Sequence, residues 1–304
     1  MNSGPTRPVL RWHGGKWLLA PWVIQYFPSH RVYVEAYGGA ASILLRKKRA
    51  YAEIYNDLDM EVVNLFEVLR SKRAGELVKS LRLTPFSRVE FENSYVTVDD
   101  PVERARKLVA RSFMGFGSNA HISAVNTGFR ASSKRSGSTP AHDWGNYPDS
   151  LGAIIERFQK VVIENRPAIQ LIERHDGDDV LYLLDPPYMH ETRSAKSRSD
   201  GSLYHGYNHE MTDGDHGELL ETACHLKGMV ILCGYPTDLY EDMLGDWHRV
   251  ERNAHADGAR ERTEVLWINE AAWAARNHEL VLFDDGISTT PEWRADDAIA
   301  GDGQ

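Results

Sequence analysis

An acidic side chain, two prolines and an aromatic ring follow directly on an apolar run at Leu181-Tyr182-Leu183-Leu184-Asp185-Pro186-Pro187-Tyr188. The run has the length of a buried strand, and Pro186 ends it by withdrawing a backbone donor. Asp185 is therefore expected at the carboxyl end of a strand. Open α/β sheets bind ligands at that end, so Asp185 and Tyr188 should face a crevice rather than a core. Pro186 and Pro187 stiffen the loop and carry carbonyls that only accept hydrogen bonds, which suits a ligand's NH₂ group. A carboxylate, a fixed carbonyl and an aromatic face would together grip a flat amino-heterocycle. The competing role is purely structural: a strand that stops at a proline turn, with an aspartate in a capping position.

Three earlier stretches could position a ligand against that tetrapeptide. Arg11-Trp12-His13-Gly14-Gly15-Lys16 precedes an apolar segment, Trp17 to Phe27, that reads as a helix stopped by Pro28. Its paired glycines allow close backbone approach, with the Trp12 face and the Lys16 cation on either side. Val32 to Glu35 reads as a strand, Ala36 to Ser42 as a small-residue turn and Ile43 to Arg49 as a helix. Strand, glycine turn and helix hold nucleotide-like cofactors, although such turns also occur without a ligand. The turn lacks Gly-x-Gly-x-x-Gly, which disfavours a dinucleotide. A second strand, Tyr51 to Tyr55, leads to Asn56-Asp57 and a helix over Leu58 to Leu69. Asp57 there either accepts a ribose hydroxyl or caps the helix.

Taken in order, these stretches resemble the Dam-like (group alpha) adenine-N6 DNA methyltransferases. Arg11 to Lys16 resembles the family's amino-terminal Lys-Trp-x-Gly-Gly-Lys, and Glu35 to Ser42 its Glu-Pro-Phe-x-Gly-x-Gly-Ser. Tyr55-Asn56-Asp57 resembles the following Asn-Asp segment, and Asp185 to Tyr188 the family's Asp-Pro-Pro-Tyr. Two positions depart: Ala36 replaces the family's proline and Ala41 its second glycine. Gly228 to Tyr235 and Arg262 to Asn269 resemble two later strands, the second containing Glu-x-Leu-x-x-Asn.

The resemblance implies an α/β, Rossmann-like S-adenosylmethionine-dependent methyltransferase sheet with an inserted, mainly helical target-recognition domain. It implies contacts to the cofactor from Trp12, Lys16, Glu35, Tyr37, Gly39, Asp57 and Asp185. Asp185, Pro186, Pro187 and Tyr188 would grip the adenine, with Tyr188 stacked on a base flipped from the duplex. Residues 1–70 and 148–285 would form the catalytic domain, 71–147 the DNA-binding insertion and 286–304 a disordered acidic tail.

Between the second strand's helix and Asp185 the β/α alternation lapses. Arg73 to Leu83 and Pro101 to Met114 read as helices, and Gly115 to Asn146 is rich in Gly, Ser, Asn and basic residues. Arg111, Asn126, Arg130, Lys134 and Arg135 are the candidate DNA contacts, with Phe113, Phe116 and Phe129 as intercalating or structural rings. Leu151 to Phe158, Val161 to Glu164 and Pro167 to His175 then read as helix, strand and helix. Met189 to His209, with Arg193, Lys196 and Arg198, is expected as a loop beside the adenine pocket. A capping box at Thr212 to Asp215 opens a helix over Glu218 to Leu226, and Leu280 to Phe283 reads as a further edge strand.

Across all 304 residues the net charge is −9, which by itself disfavours a nucleic-acid partner. Its distribution does not. Residues 101–140 carry seven basic side chains against one acidic, whereas residues 283–304 carry six acidic against one basic. A basic middle and an acidic tail can coexist with a surface for double-stranded DNA. Cys224 and Cys233 match no disulfide framework or zinc pattern, and the Gly206 and Asn208 between His205 and His209 disfavour a metal pair. No apolar leader or membrane-length stretch is present, so a cytoplasmic protein needing neither membrane nor metal is expected. No feature fixes the oligomeric state, and a monomer is compatible. Two other functions fit the same residues: transfer to cytosine N4 or a protein glutamine amide, and a DNA-binding decoy that kept the fold without turnover. Asp at position 185, the Gly-Gly-Lys turn and the basic middle favour adenine in DNA.

Overall fold

A sheet of mainly parallel strands carries Asp185 to the edge where the strand order reverses. The computed structural model describes residues 4–117, 127–132, 138–192, 196–197, 203–204, 207–255 and 261–284. The amino-terminal half contains α1 (Ala20–Ile24), β1 (Val32–Glu35), β2 (Ala52–Asn56), α2 (Met60–Arg70), α3 (Ala74–Leu83), α4 (Arg88–Asn93) and α5 (Pro101–Met114). There follow α6 (Pro140–Phe158), β3 (Val161–Glu164), α7 (Ala168–Arg174), β4 (Val180–Leu184) and the short ladder β5 (Lys196–Ser197) with β6 (Leu203–Tyr204). The chain closes with α8 (Asp213–His225), β7 (Met229–Gly234), α9 (Asp238–Met243), β8 (His248–His255), β9 (Glu261–Ile268) and α10 (Glu270–Asp284).

The main sheet has seven strands in the order β3-β2-β1-β4-β7-β9-β8. β3, β2, β1, β4 and β7 pair in parallel, and β9 runs antiparallel to both β7 and β8. The order leaves β1 in one direction through β2 and β3 and resumes on its other side at β4, so a crevice opens outside the β1 and β4 carboxyl ends. Register places Glu35 opposite Leu183, and Asp185 follows two residues later on the neighbouring strand.

Alternation along β4 explains the two-sided core. Leu181 and Leu183 enter one apolar cluster, while Val180, Tyr182 and Leu184 enter the other, as the two-residue period of a strand requires. The first cluster continues without a break into Leu77, Leu108, Phe113, Trp144 and Tyr147. Among the described residues, α3, α5 and α6 therefore share the sheet's core, and the expected boundary at 147/148 falls inside α6. Thr139 caps that helix, which runs through Pro148.

Other elements differ from expectation for local reasons. The helix expected over Trp17 to Phe27 is limited to α1, which begins one residue before Pro21, where proline belongs in the first turn. Ile43 to Arg49 makes turns and irregular chain rather than a helix, and the Glu35 carboxylate accepts the Leu44 N–H at 3.0 Å. Leu280 to Phe283 is not an edge strand: it completes α10, whose start is capped by Asn269 Oδ1 accepting from Ala272 N at 3.0 Å. The edge is formed instead by β8, where Arg249, Glu251 and Arg252 break the apolar pattern and conceal the strand. α4 and α9 were also unanticipated, each led by a Ser or Thr cap, Ser87 and Thr237.

Candidate active site

All seven residues expected to touch a cofactor line one cavity. Trp12, Lys16, Glu35, Tyr37, Gly39, Asp57 and Asp185 face a space of about 1010 Å³, its solvent-open mouth included. These seven residues come from four separate stretches of chain. Pro187 lines the cavity as well.

The turn after β1 is held by β2. Gly39 N donates to Asp57 Oδ2 at 2.7 Å, and Tyr55 donates its hydroxyl to the Gly39 carbonyl at 2.7 Å. Gly39 has φ of 46°, and a Cβ there would lie 2.6 Å from Trp12 Nε1. The indole is thus seated on bare backbone. Ala41, at the second departure from the family pattern, also adopts a positive φ, 53°. The loop keeps the left-handed shape that glycine supplies elsewhere, with a methyl group in its place.

Of the two roles left open by its spacing, Asp57 does not fill the capping one: it lines the cavity and accepts the Gly39 N–H. Its second oxygen accepts from Asp59 N at 2.8 Å, while Asp59 caps α2 by accepting from Glu61 N at 2.9 Å. Burial pushes the Asp57 carboxyl up to about 6, and the Asp59 and Gly39 N–H groups oppose that rise. Glu35 is pushed up to about 8 by burial, opposed by hydrogen bonds from the Tyr33 hydroxyl and Leu44 N. Asn56, by contrast, is structural: its amide donates to Ala36 O and Arg166 O and accepts from Arg166 N.

At the end of β4 an ionic chain occupies the wall. Lys16 Nζ lies 2.8 Å from Asp185 Oδ1 and donates to the Tyr188 hydroxyl at 2.6 Å. The Tyr188 hydroxyl donates in turn to Glu264 Oε2 at 2.8 Å. Burial works against the Lys16 ammonium, but Asp185 and then Glu264 hold it above the ordinary lysine range. Burial raises the Asp185 carboxyl; Lys16 opposes that rise and Glu264 adds to it. The Tyr188 ring is 8% exposed and meets Tyr235 edge-on, with centroids 4.4 Å apart. Pro186 is buried beside it.

Several wall residues are not singled out by the sequence, although Tyr207 and Asn208 fall within the Met189 to His209 segment expected beside the pocket. Tyr207 packs its ring 5.1 Å from that of His13, and Asn208 donates to Asp59 Oδ2 at 2.8 Å, so residues 207–211 lie across the cavity. Glu264 belongs to the Glu-x-Leu-x-x-Asn segment, the one sequence signal that could have marked it. Asn269 of that segment is structural, accepting from Val230 N and donating to Gly228 O.

The candidate DNA contacts are placed differently. Arg111 is 4% exposed and donates to the Ser94 carbonyl at 2.7 Å and to Glu61 Oε2 at 3.5 Å. It braces α5 against α2 and α4 from within and is corrected here to a structural residue. Phe113 belongs to the core, and Phe116 is exposed. Arg130 is half-buried beside an antiparallel bridge joining Gly115 and Phe129. Asn126, Lys134, Arg135, Arg193, Arg198 and the tail 286–304 lie outside the described residues. Among the described residues, no cluster of three or more potential metal ligands occurs, and no helix is long and apolar enough to cross a membrane.

A doubly wound α/β sheet with a cavity at its switch point, lined by Asp185 and Pro187 of Asp-Pro-Pro-Tyr while Pro186 and Tyr188 pack behind it, is a Rossmann-like methyltransferase fold. The family model of D12 class N6 adenine-specific DNA methyltransferases matches residues 12–251, from the Gly-Gly-Lys turn through β7 and into β8. The chain belongs to this family, and its activity is adenine-specific methylation of DNA. No curated protein matches the chain.

Proposed function

We propose that this protein transfers a methyl group from S-adenosylmethionine to the N6 amine of an adenine flipped out of duplex DNA. The convergence of Trp12, Lys16, Glu35, Tyr37, Gly39, Asp57 and Asp185 on one cavity carries this reading. The donor set suits the cofactor: carboxylates for its hydroxyls and positive charges, and the Trp12 and Tyr37 rings for its apolar parts. When bound, S-adenosylmethionine supplies a methyl on a sulfonium, a good leaving group, so the protein's task is alignment more than acid or base strength.

Asp57, already ordered by two backbone donors, accepts the ribose hydroxyls. Glu35 sits at the carboxyl end of β1 beneath the turn and fixes it through Leu44. Asp185 and the Pro186 carbonyl accept the two N6 protons, which draws the nitrogen lone pair out of conjugation with the ring. Charge that builds on N6 is then stabilised where it appears. Tyr188 stacks on the extruded base and offsets part of the few kcal/mol that unstacking costs. Arg130, Lys134 and Arg135 contact phosphates, and Asn126 a base edge or backbone.

Transfer of labelled methyl to unmethylated duplex DNA tests this directly, with Asp185→Ala as control. Label in N6-methyladenine that the variant reduces by at least about 100-fold supports it. Cofactor binding with no transfer to any DNA supports a decoy instead, and label in N4-methylcytosine or in protein glutamine reassigns the acceptor.

A further inference from the structure

Glu264 has no assigned part in holding cofactor or base, yet it is 8% exposed and ends the ionic chain that starts at Asp185. It reaches the site from β9, two strands from β4 in the same sheet, where it pairs in register with Arg252 of β8. The chain has one cation and two carboxylates. Lys16 Nζ is 2.8 Å from Asp185 Oδ1 and 4.0 Å from Glu264 Oε2, with the Tyr188 hydroxyl bridging.

This arrangement answers a difficulty in the proposed function. An amine donor arriving at Asp185 must compete with an ammonium already hydrogen-bonded there. A second buried carboxylate lowers the cost of moving that ammonium, because the charge need not be left uncompensated. Lys16 has a flexible stem, and closing its 4.0 Å separation from Glu264 to the roughly 2.8 Å of a charge-assisted bond is a small movement. Glu264 also accepts from the Tyr188 hydroxyl, which fixes the ring at its far end while Tyr235 meets its edge.

We propose that Glu264 is a positioning residue: it shares Lys16 with Asp185 and anchors Tyr188, so that Asp185 can turn an oxygen to the N6 amine. The inference rests on the methyltransferase reading above. Groups facing Asp185 are Lys16 from the amino-terminal turn, Glu35 from β1, Tyr188 from its own loop, Cys233 from β7, Tyr240 from α9 and Glu264 from β9. Of the carboxylates in this set, Glu264 acts directly on the Asp185–Lys16–Tyr188 chain.

Glu264→Gln keeps the size and an oxygen acceptor for Tyr188 but removes the charge. Methyl transfer to unmethylated duplex DNA should then fall roughly tenfold in kcat, with the dissociation constant for S-adenosylmethionine kept within about twofold. Because Glu264 raises the Asp185 carboxyl, the acidic limb of the kcat profile should also move to lower pH. A merely structural glutamate would lower the thermal midpoint and leave that limb in place, which overturns the inference, as does wild-type kcat. If Glu264→Gln does not fold, Tyr188→Phe cuts the same chain while keeping the ring. It should lower kcat with cofactor affinity retained, and unchanged kcat would again overturn the inference. Wild-type enzyme that methylates no DNA adenine defeats the methyltransferase reading and this inference together. Normal wild-type transfer with an indifferent Glu264→Gln defeats only this one.

Discussion

The cofactor side of the sheet and the helical region between α2 and α6 use their charges in opposite ways. Around the cavity, buried and half-buried acids converge from separate strands and turns on a common space. In the helical region the basic residues turn towards partners within the fold. Arg104 pairs with Glu61, Arg106 with Glu90 and Glu103, Lys107 donates to the Val96 carbonyl, and Arg111 is enclosed between Ser94 and Glu61. Four of the seven basic residues that gave the middle of the sequence its positive charge are therefore occupied in holding α5 to α2, α3 and α4. A count of charge says nothing about direction. Direction is legible only where backbone geometry fixes it, as at a strand end or a glycine turn.

Substitutions on the two sides should separate these uses. The largest effect is expected from replacing Arg130, Lys134 and Arg135 together with alanine. If these residues meet phosphates, DNA affinity should fall about 10-fold to 100-fold, and the slope of log affinity against log salt should flatten by about 2 to 3. An unchanged slope would remove them from the DNA surface. Arg111→Met should behave in the contrary manner. It leaves the Ser94 carbonyl without this donor and costs about 2 kcal/mol of stability. The folded fraction should bind DNA as the wild type does, measured at a temperature where both are native. A loss of affinity with an unaltered melting curve would restore Arg111 as a DNA contact.

Glu35 gives a smaller, pH-dependent effect on the cavity side. Its carboxyl is raised to about 8 in the folded protein, chiefly by burial, so the native state holds a proton that the unfolded chain releases near the ordinary glutamate value. This contribution is complete below that ordinary value and is lost as pH rises through about 8. Glu35→Gln, which cannot ionise, should lose stability less steeply over that window. Denaturation midpoints of the two proteins across it decide the matter, and parallel curves would show that Glu35 is charged when buried.

Legibility in the sequence divides along the same line. β1 and α5 match their expected spans, and β4 nearly does, because apolar runs there meet glycine or proline punctuation. The cavity residues were legible because four short segments with special backbone demands occur in order. Glu264 was only half legible: the Glu-x-Leu-x-x-Asn segment marks it, but its contact with the Asp185 chain depends on β9 lying beside β7. The segment holding Tyr207 and Asn208 was expected beside the pocket, but their individual contacts to His13 and Asp59 arise only through the tertiary path of the chain after β4. β8 was obscured by its charged residues. α10 was missed because the apolar run at its end is as short as a strand.

The smallest effect should come from the loop that departs from the family pattern. Ala41 is fully buried and holds φ of 53°, its N–H donating to Gly38 O at 2.7 Å and its carbonyl accepting from Leu45 N at 2.9 Å. A left-handed conformation costs a non-glycine residue roughly 1–2 kcal/mol, which Ala41→Gly would release. Against that stand about 0.5–1 kcal/mol for the extra freedom of glycine in the unfolded chain and about 0.8 kcal/mol for the buried methyl. The terms nearly cancel, so Ala41→Gly should shift unfolding free energy by less than about 1 kcal/mol and leave methyl transfer intact. Gly39→Ala, two residues away, has no such compensation. Its φ is 46° and the new Cβ would stand 2.6 Å from Trp12 Nε1, so it should displace the indole and weaken cofactor binding. Equal cofactor affinity in the two variants would mean that the seat beneath Trp12 does not shape the cavity. Unequal affinity, with Ala41→Gly close to wild type, would show that the turn tolerates a methyl where it faces the core and refuses one where it faces the indole.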